Sequence, residues 1–572
     1  MSTLAYSLMA AAGGAGGEDS FVGVIGGNTG VSTNSIYPMF YNSTSSFGRF
    51  AVDWNSYRGG GIWSGADGNI MFGTVAYSYQ NSAATGNFSC GQAKLNNASS
   101  IDPLTIENNH VQFCPPKQPN GNFNILSNPD HWSPIGLDSA GNTIHLIGYG
   151  STLSSAIVKF PDNAVVNGSS ATNVKTVWWT NDGPYAGVRD WKTGDDRFIT
   201  FGSSDAVAGN HNQIMKWDMN NTGTGQPDLS FAKTNSILNS GSAVQWSVWN
   251  CGDTDTDGNI YAGGSIDNNP RQPLLGKYDY GGDVLWLKES KFGNGQPYNY
   301  GSQTGLSNIK CSKDGTHLYA LQSVFAMQYT TWDGISNTSR KTILTKINPS
   351  NGTVLWHRGL RGIADGDWQS GETGLAVDND GNAYMTVFSE QDNKLDANCA
   401  DTDYVLIKVN SSGVMQWANV VKADPLNNQA VSASAMGTTD NRRGGFHQQI
   451  TISKEGEGDN ILLSASGRAE NDRNVLGFLS VPQDGSGVKS GYSDTFTFSL
   501  PAGNLTASSY YKATALEARG LVTLSTLQYN TPTVSQSSSA TPTKQVGASN
   551  SSNSYATSNS YSSMIRRDLI EL

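Results

Sequence analysis

Cysteine is sparse in this 572-residue chain: the five copies, Cys90, Cys114, Cys251, Cys311 and Cys399, are odd in number and too scattered for a disulfide framework. Only Cys90 and Cys114, inside one long insertion, are placed to pair, and no C-x-x-C exists to suggest zinc. Charge is low as well. Asp, Glu, Lys and Arg together make up 15% of residues, with 47 acids against 36 bases and a net charge of -11. No basic run interleaves with aromatics, which argues against a phosphate-neutralising nucleic-acid surface. No apolar run approaches the roughly 18 residues that a membrane-spanning helix needs. The seven histidines form neither H-E-x-x-H nor H-x-H, and there is no G-x-S-x-G elbow, P-loop or G-x-G-x-x-G turn. By motif, the chain carries no catalytic signature.

What is present in abundance is glycine, 65 copies, together with hydroxyl and amide side chains and short β-prone runs. The stretch from Gln245 to Leu287 sets the pattern. Alternating runs rich in Trp, Tyr, Val and Ile are cut by turn signals at Asp257-Gly258-Asn259 and Asp279-Tyr280-Gly281-Gly282, which predicts four short antiparallel strands joined by hairpins. The third-strand signature returns as Ile157-Val158-Lys159-Phe160, Ile214-Met215-Lys216-Trp217, Leu275-Gly276-Lys277-Tyr278, Leu344-Thr345-Lys346-Ile347 and Leu406-Ile407-Lys408-Val409. Weaker copies stand at Ala93-Lys94-Leu95 and at Leu476-Gly477-Phe478-Leu479, where Phe478 replaces the lysine. Hairpin turns such as Asp67-Gly68-Asn69 and Asp380-Gly381-Asn382 precede each copy, and a Trp-bearing fourth strand often follows, as in Val354-Leu355-Trp356. Sheets of four strands repeated radially make a β-propeller. Both markers count seven units.

The expected fold is therefore all-β, a seven-bladed β-propeller of four-stranded antiparallel blades over residues 47–502. An extended N-terminal arm covers 1–46, and a Ser/Thr/Asn-rich C-terminal extension covers 503–572. Met1 to Gly17 reads as a short apolar helix with a glycine tether, without the positive residue that opens a signal peptide, so it is expected to stay uncleaved and either to anchor the chain on another or to fold back on its own propeller. Phe47 to Asp53 alternates like a strand, either the one that closes the ring or the first of blade one. Tyr510 to Leu527 is expected to form a further strand pair, and Thr531 to Ser563 has the composition of a disordered tail. The closing M-I-R-R-D-L-I-E-L is an amphipathic patch suited to docking. Insertions at Ser82–Asn128 and Gln322–Thr342, the latter with Tyr329 and Trp332, map to loops on one face, fit either to hold a glycan or protein or to roof the ring.

The candidate ligand set is Asp253, Asp255 and Asp257. The run Asp253-Thr254-Asp255-Thr256-Asp257-Gly258-Asn259-Ile260 matches the first eight positions of an EF-hand calcium loop, where alternate oxygens face one ion, but Gly264 stands where the bidentate glutamate belongs. A plain hairpin is favoured over a weak calcium site, and no other cofactor is expected. Lys159 to Lys408, one per repeat at one strand position, read as structural, with packed stems and paired ammonium groups. Ser312-Lys313-Asp314-Gly315 shares the start of a sialidase Asp-box without its later glycine and aromatic.

The blade sentence L-x-K-[hydrophobic]-[N/D]-x-x-G-x-V-x-W, with D-G-N-x-Y ahead of it, resembles bacterial seven-bladed propeller repeats and, more distantly, quinoprotein blades. The opening M-S-T-L-A-Y-S-L-M-A-A-A-G-G-A-G-G-E-D-S-F-V-G-V-I-G-G resembles propeller-bearing tail proteins of bacteriophages of marine bacteria. That resemblance implies a non-enzymatic virion (tail) component, tail fibre or appendage, used for assembly and host-surface attachment. Its partners would be other virion tail proteins, met through the arm and tail, and a host glycan or protein. The expectation includes a homo-oligomer, no nucleic acid and no membrane span. The alternative is a secreted or cell-surface propeller enzyme or lectin, quinoprotein-like or glycan-binding.

Overall fold

The structure is a computed structural model. It describes residues 21–27, 50–51, 62–66, 70–80, 83–95, 111–113, 129–149, 154–160, 175–180, 182–192, 196–204, 211–219, 227–239, 242–243, 247–267, 271–292, 305–324, 341–360, 368–369, 374–389, 404–423, 450–469, 473–485 and short strands between 489 and 571. The Met1–Gly17 leader, Cys114, Cys399 and the loop bearing Tyr329 and Trp332 lie outside the described residues, as do the side chain of Cys90 and the linkers of the C-terminal tract.

The chain folds as an all-β propeller of antiparallel four-stranded blades. Six repeats, rather than the seven expected, make a blade from their own consecutive strands. The fourth is typical: Ser247–Thr254, Ile260–Asp267, Arg271–Tyr278 and Val284–Phe292 pair in that order. Among the described residues, the last repeat supplies Ile450–Ile452, Asn460–Ala469 and Arg473–Pro482 to its sheet, and the edge of its third strand is completed by Phe21–Gly27 from the other end of the chain. The closing strand is thus not Phe47–Asp53. Phe50–Ala51 instead pairs with Ile70–Gln80 beside Ile62–Ser64, as part of the first strand of blade one. The repeat count missed this because repeat seven keeps its hairpin signal while borrowing a strand. Pairing the first and last segments of the chain satisfies two sheet edges at once.

The hydrophobic core is divided among the blade interfaces. One cluster joins Ile199, Phe201 and Ile214 of the third repeat to Trp249, Ile260 and Tyr278 of the fourth. Another joins Cys251, Tyr261 and Leu275 of the fourth to Ile309, Leu318 and Ile347 of the fifth. Blade-to-blade contact is tight enough to require glycine at Gly252, where an added Cβ would stand 2.1 Å from the Phe201 ring.

The repeated polar residues join the blades. Lys346 Nζ donates to Ser411 O (2.8 Å) in the next blade, and Trp356 Nε1 donates to the same carbonyl (3.2 Å). One blade further on, Lys408 Nζ (3.0 Å) and Trp417 Nε1 (3.1 Å) share Gln483 O. Trp286 Nε1 likewise reaches Pro349 O at 3.2 Å, and Lys159 Nζ reaches Met219 O at 3.1 Å. Each of these donors comes from strand three or four and satisfies a carbonyl in the neighbour's next hairpin, so Lys159, Lys346 and Lys408 with Trp286, Trp356 and Trp417 are staples between blades, whereas Lys216 pairs with Asp190 of its own repeat. Burial pulls the ammonium groups of Lys346 and Lys408 below the usual lysine range.

The C-terminal segment departs most from expectation. Tyr511–Ala515 pairs on the outer strand of repeat six, Leu521–Thr523 on repeat five, Leu527–Asn530 on repeat four, Thr533–Ser538 on repeat three and Lys544–Val546 on repeat two. Ile565–Asp568 then pairs on the closing strand. The expected strand pair within 510–527 is two single strands on two different blades, and the tract read as a disordered tail contains the strands on repeats three and two. This belt runs round the rim against the order of the blades and adds a fifth strand to each outer edge it meets. An outer edge exposes unpaired N–H and C=O groups, and backbone pairing there depends little on apolar side chains.

Candidate functional site

The first strands line the centre of the ring, and their ends near the first hairpin enclose a cavity of about 110 Å³ bordered by Ile62, Trp63, Ile135, Arg189, Trp191, Asp253, Lys310, Cys311, Lys313, Leu375, Ile450 and Glu455, among others. The three sequence candidates separate here. Asp253 faces this cavity. Asp255 lies two residues on, buried in the hairpin, where its Oδ1 accepts from Asn259 N (2.8 Å) and its Oδ2 from Asn259 Nδ2 (2.8 Å) and Tyr261 Oη (3.0 Å). Asp257 is exposed at the turn. The run is a hairpin with Gly258 at φ 84°, and the same arrangement recurs with Asp378, Asn382 and Tyr384. Among the described residues, no group of three or more His, Cys, Asp or Glu could hold a metal ion. Asp314 is likewise a turn residue, accepting from Ser312 Oγ and from Thr316 N and Oγ1.

Asp253 accepts from Cys311 N at 3.1 Å and sits 3.8 Å from Lys310 Nζ. Burial raises its carboxyl above the usual range, with Lys310 and the backbone donors opposing. Cys311 donates its thiol to Thr254 O at 3.3 Å, and burial holds that thiol well above its ordinary range. A protonated, bonded thiol is a packing group rather than a nucleophile.

The mouth of the cavity carries the other charges. Arg189 Nη1 lies 2.6 Å from Glu455 Oε1, and Lys313 Nζ 2.7 Å from Glu457 Oε1. Both pairs reach across the ring, from repeats three and five to repeat seven. Trp191 lies between the two cations, 5.3 Å from Arg189 Cζ and 4.9 Å from Lys313 Nζ. Glu455 belongs to the short turn Ser453–Gly456, in which Lys454 (φ 52°) and Glu455 (φ 56°) are consecutive left-handed residues without being glycine. The turn is held to the first blade by Lys454 N donating to Ser64 Oγ at 3.0 Å.

Sequence reasoning reached Asp253 for a different reason and missed Arg189, Trp191, Lys310, Lys313 and Glu455. A signal was available. Where Asp253 and Lys310 stand, two residues before the turn residue, other repeats carry Gly136, Val188, Ala376 and Thr451. Charge at a position that is otherwise small or uncharged, in two adjacent repeats, marks a departure from the repeat rather than part of it.

No family description and no curated protein matches the sequence. Solved structures similar in fold include Sqt1 of Chaetomium thermophilum bound to the N-terminus of ribosomal protein L10, at 10% identity and TM-score 0.37, covering 74% of this chain and 98% of that one. The hydrazine synthase of Kuenenia stuttgartiensis is similar at 9% identity and TM-score 0.38, covering 76% and 98%. The polysaccharide lyase Uly1 is similar at 9% identity and TM-score 0.37, covering 82% and 98%. The likeness is one of fold, and these proteins share no common activity.

Proposed function

We propose that the chain is a non-enzymatic structural protein of a bacteriophage tail. In this reading the propeller is a rigid body, and the terminal segments join it to neighbouring tail proteins. The belt is the observation that carries the proposal: the C-terminal chain spends its strands on backbone pairing around the rim, which stiffens the ring and guards its edges against unwanted pairing. The resemblance of the opening residues to phage tail proteins supplies the setting. Inside the ring, Cys311 and Asp253 are engaged in bonds between adjacent blades, which suits a scaffold better than a catalyst.

The test is light scattering of the full-length chain beside one lacking residues 1–20, which spares the closing strand. The proposal expects a homo-oligomer that dissociates when the leader is removed. A monomer in both forms would contradict it. The ionic cluster at the cavity mouth favours a second reading, a ligand-binding propeller used in attachment.

A further inference from the structure

The geometry points to a binding site for a small carboxylate in the central cavity, and we propose that the Ser453–Gly458 turn is its lid, with Glu455 occupying the place of the ligand's carboxylate on Arg189. This goes beyond the structural role proposed above and does not depend on it.

Charge balance makes the first argument. The residues lining the cavity include three cations, Arg189, Lys310 and Lys313, and two acids, Asp253 and Glu455. If the turn withdraws, taking Glu455 and Glu457 with it, three cations face one acid, and that acid is itself desolvated. A cavity with such an excess attracts an anion, and the planar fork of a guanidinium matches a carboxylate.

The bond to be displaced is already a carboxylate on that guanidinium. Arg189 and Glu455 meet at 2.6 Å with side chains 29% and 12% exposed, partly shielded from water but reachable. Glu455 is therefore an internal competitor of the right chemistry.

Strain in the turn is the third argument. Lys454 and Glu455 are the only non-glycine residues with positive φ among the described residues, and they are adjacent. A left-handed pair of this kind persists only while surrounding contacts hold it, and such strain collects at clamps and switches. The turn is tied by Lys454 N to Ser64 Oγ, by Gln483 Nε2 to Gly458 O at 2.8 Å, by Asn460 N to Ser453 Oγ at 3.2 Å and by the pair between Lys313 and Glu457, whose carboxylate side chain is 64% exposed.

Size and walls fix the ligand class. An apolar protein cavity of roughly 150 Å³ accepts a benzene ring, so about 110 Å³ suits a carboxylate with a few carbon atoms. Trp63 and Trp191 supply the apolar wall for its body.

The experiment is calorimetric and tryptophan-fluorescence titration of the full-length protein, at low ionic strength, with sodium propionate and with propionamide, its neutral counterpart. Propionate should bind and propionamide should not. Glu455→Gln removes the competing charge while keeping shape, and it should tighten propionate about tenfold, the order of one charge-assisted hydrogen bond. Arg189→Gln should abolish binding with the circular dichroism spectrum unchanged; if that variant fails to fold, the comparison of wild type with Glu455→Gln decides alone. Equal response to propionate and propionamide, no binding to either protein, or unchanged or weaker affinity in Glu455→Gln would overturn the proposal.

Discussion

Lysine occupies two settings in this ring. Lys159, Lys346 and Lys408 recur once per repeat, and each ammonium donates to a carbonyl in the next blade. Lys310 has no counterpart at its position in the other repeats, Lys313 is matched only by Lys454 of repeat seven, and both Lys310 and Lys313 face acids in and across the channel. The periodic cations join blades and lie in the part of the sequence that copies itself. The aperiodic ones lie elsewhere, at the end of the first strand of repeat five and in the hairpin after it, and they break the copy. In a repeat protein, regularity identifies the residues that build the body, and departures from it identify those that give the body a particular surface.

The largest test of this contrast is at Lys216, whose Nζ stands 2.7 Å from Asp190 Oδ2 with both side chains 2% exposed. Lys216→Ala leaves a buried carboxylate without its cation and should cost about 3–5 kcal/mol in denaturant unfolding. A loss below about 1 kcal/mol would remove the buried pair from the account.

Next in size is His145, buried in the second strand of repeat two, where burial lowers its pKa to about 3 from 6.5. Its folded-state value is depressed, so the unfolded chain takes up the proton first. Stability is full above pH 6.5 and falls as pH drops from there toward 3. At pH 5 the loss from this one group should be about 2 kcal/mol, from 1.36 kcal/mol per pH unit. Melting curves of wild type and His145→Leu between pH 7 and 5 check it, and the variant should show the shallower decline.

A smaller effect is expected for Trp417→Phe, which keeps most of the packing and removes one of the two donors to Gln483 O. The cost should be about 1 kcal/mol. Smallest of all, Lys313→Ala should change stability by well under 1 kcal/mol, because the pair it breaks ends on an exposed glutamate. Should Lys313→Ala cost more than Trp417→Phe, the division between staples and surface charges would fail.

The propeller was legible in the sequence because its blades are local. Strand, turn and staple recur within about sixty residues, and signals such as Asp378-Asn379-Asp380-Gly381-Asn382-Ala383-Tyr384 lie where the hairpin they specify forms. The number of self-contained blades was not legible, because closing the ring pairs Phe21–Gly27 with Arg473–Pro482 across most of the chain length. The belt was hidden for another reason. A strand added to an outer edge is held by backbone bonds, so Thr533–Ser538, T-V-S-Q-S-S, needs no apolar alternation and has the composition of a linker. At the channel, Asp253 was found through a calcium-loop pattern whose other carboxylates serve the hairpin or lie exposed, whereas Arg189 and Glu455 meet only because repeats three and seven share a ring.

The most direct measurement of the central claim, a propeller fastened round its rim by its own C-terminal chain, is hydrogen exchange read by mass spectrometry on the full-length protein. The account predicts that amides of Thr533–Ser538 and Leu527–Asn530 exchange slowly, like those of the strands Asp228–Asn239 and Val284–Phe292 on which they pair. Exchange of these segments at the rate of free chain, with the blades still protected, would contradict it.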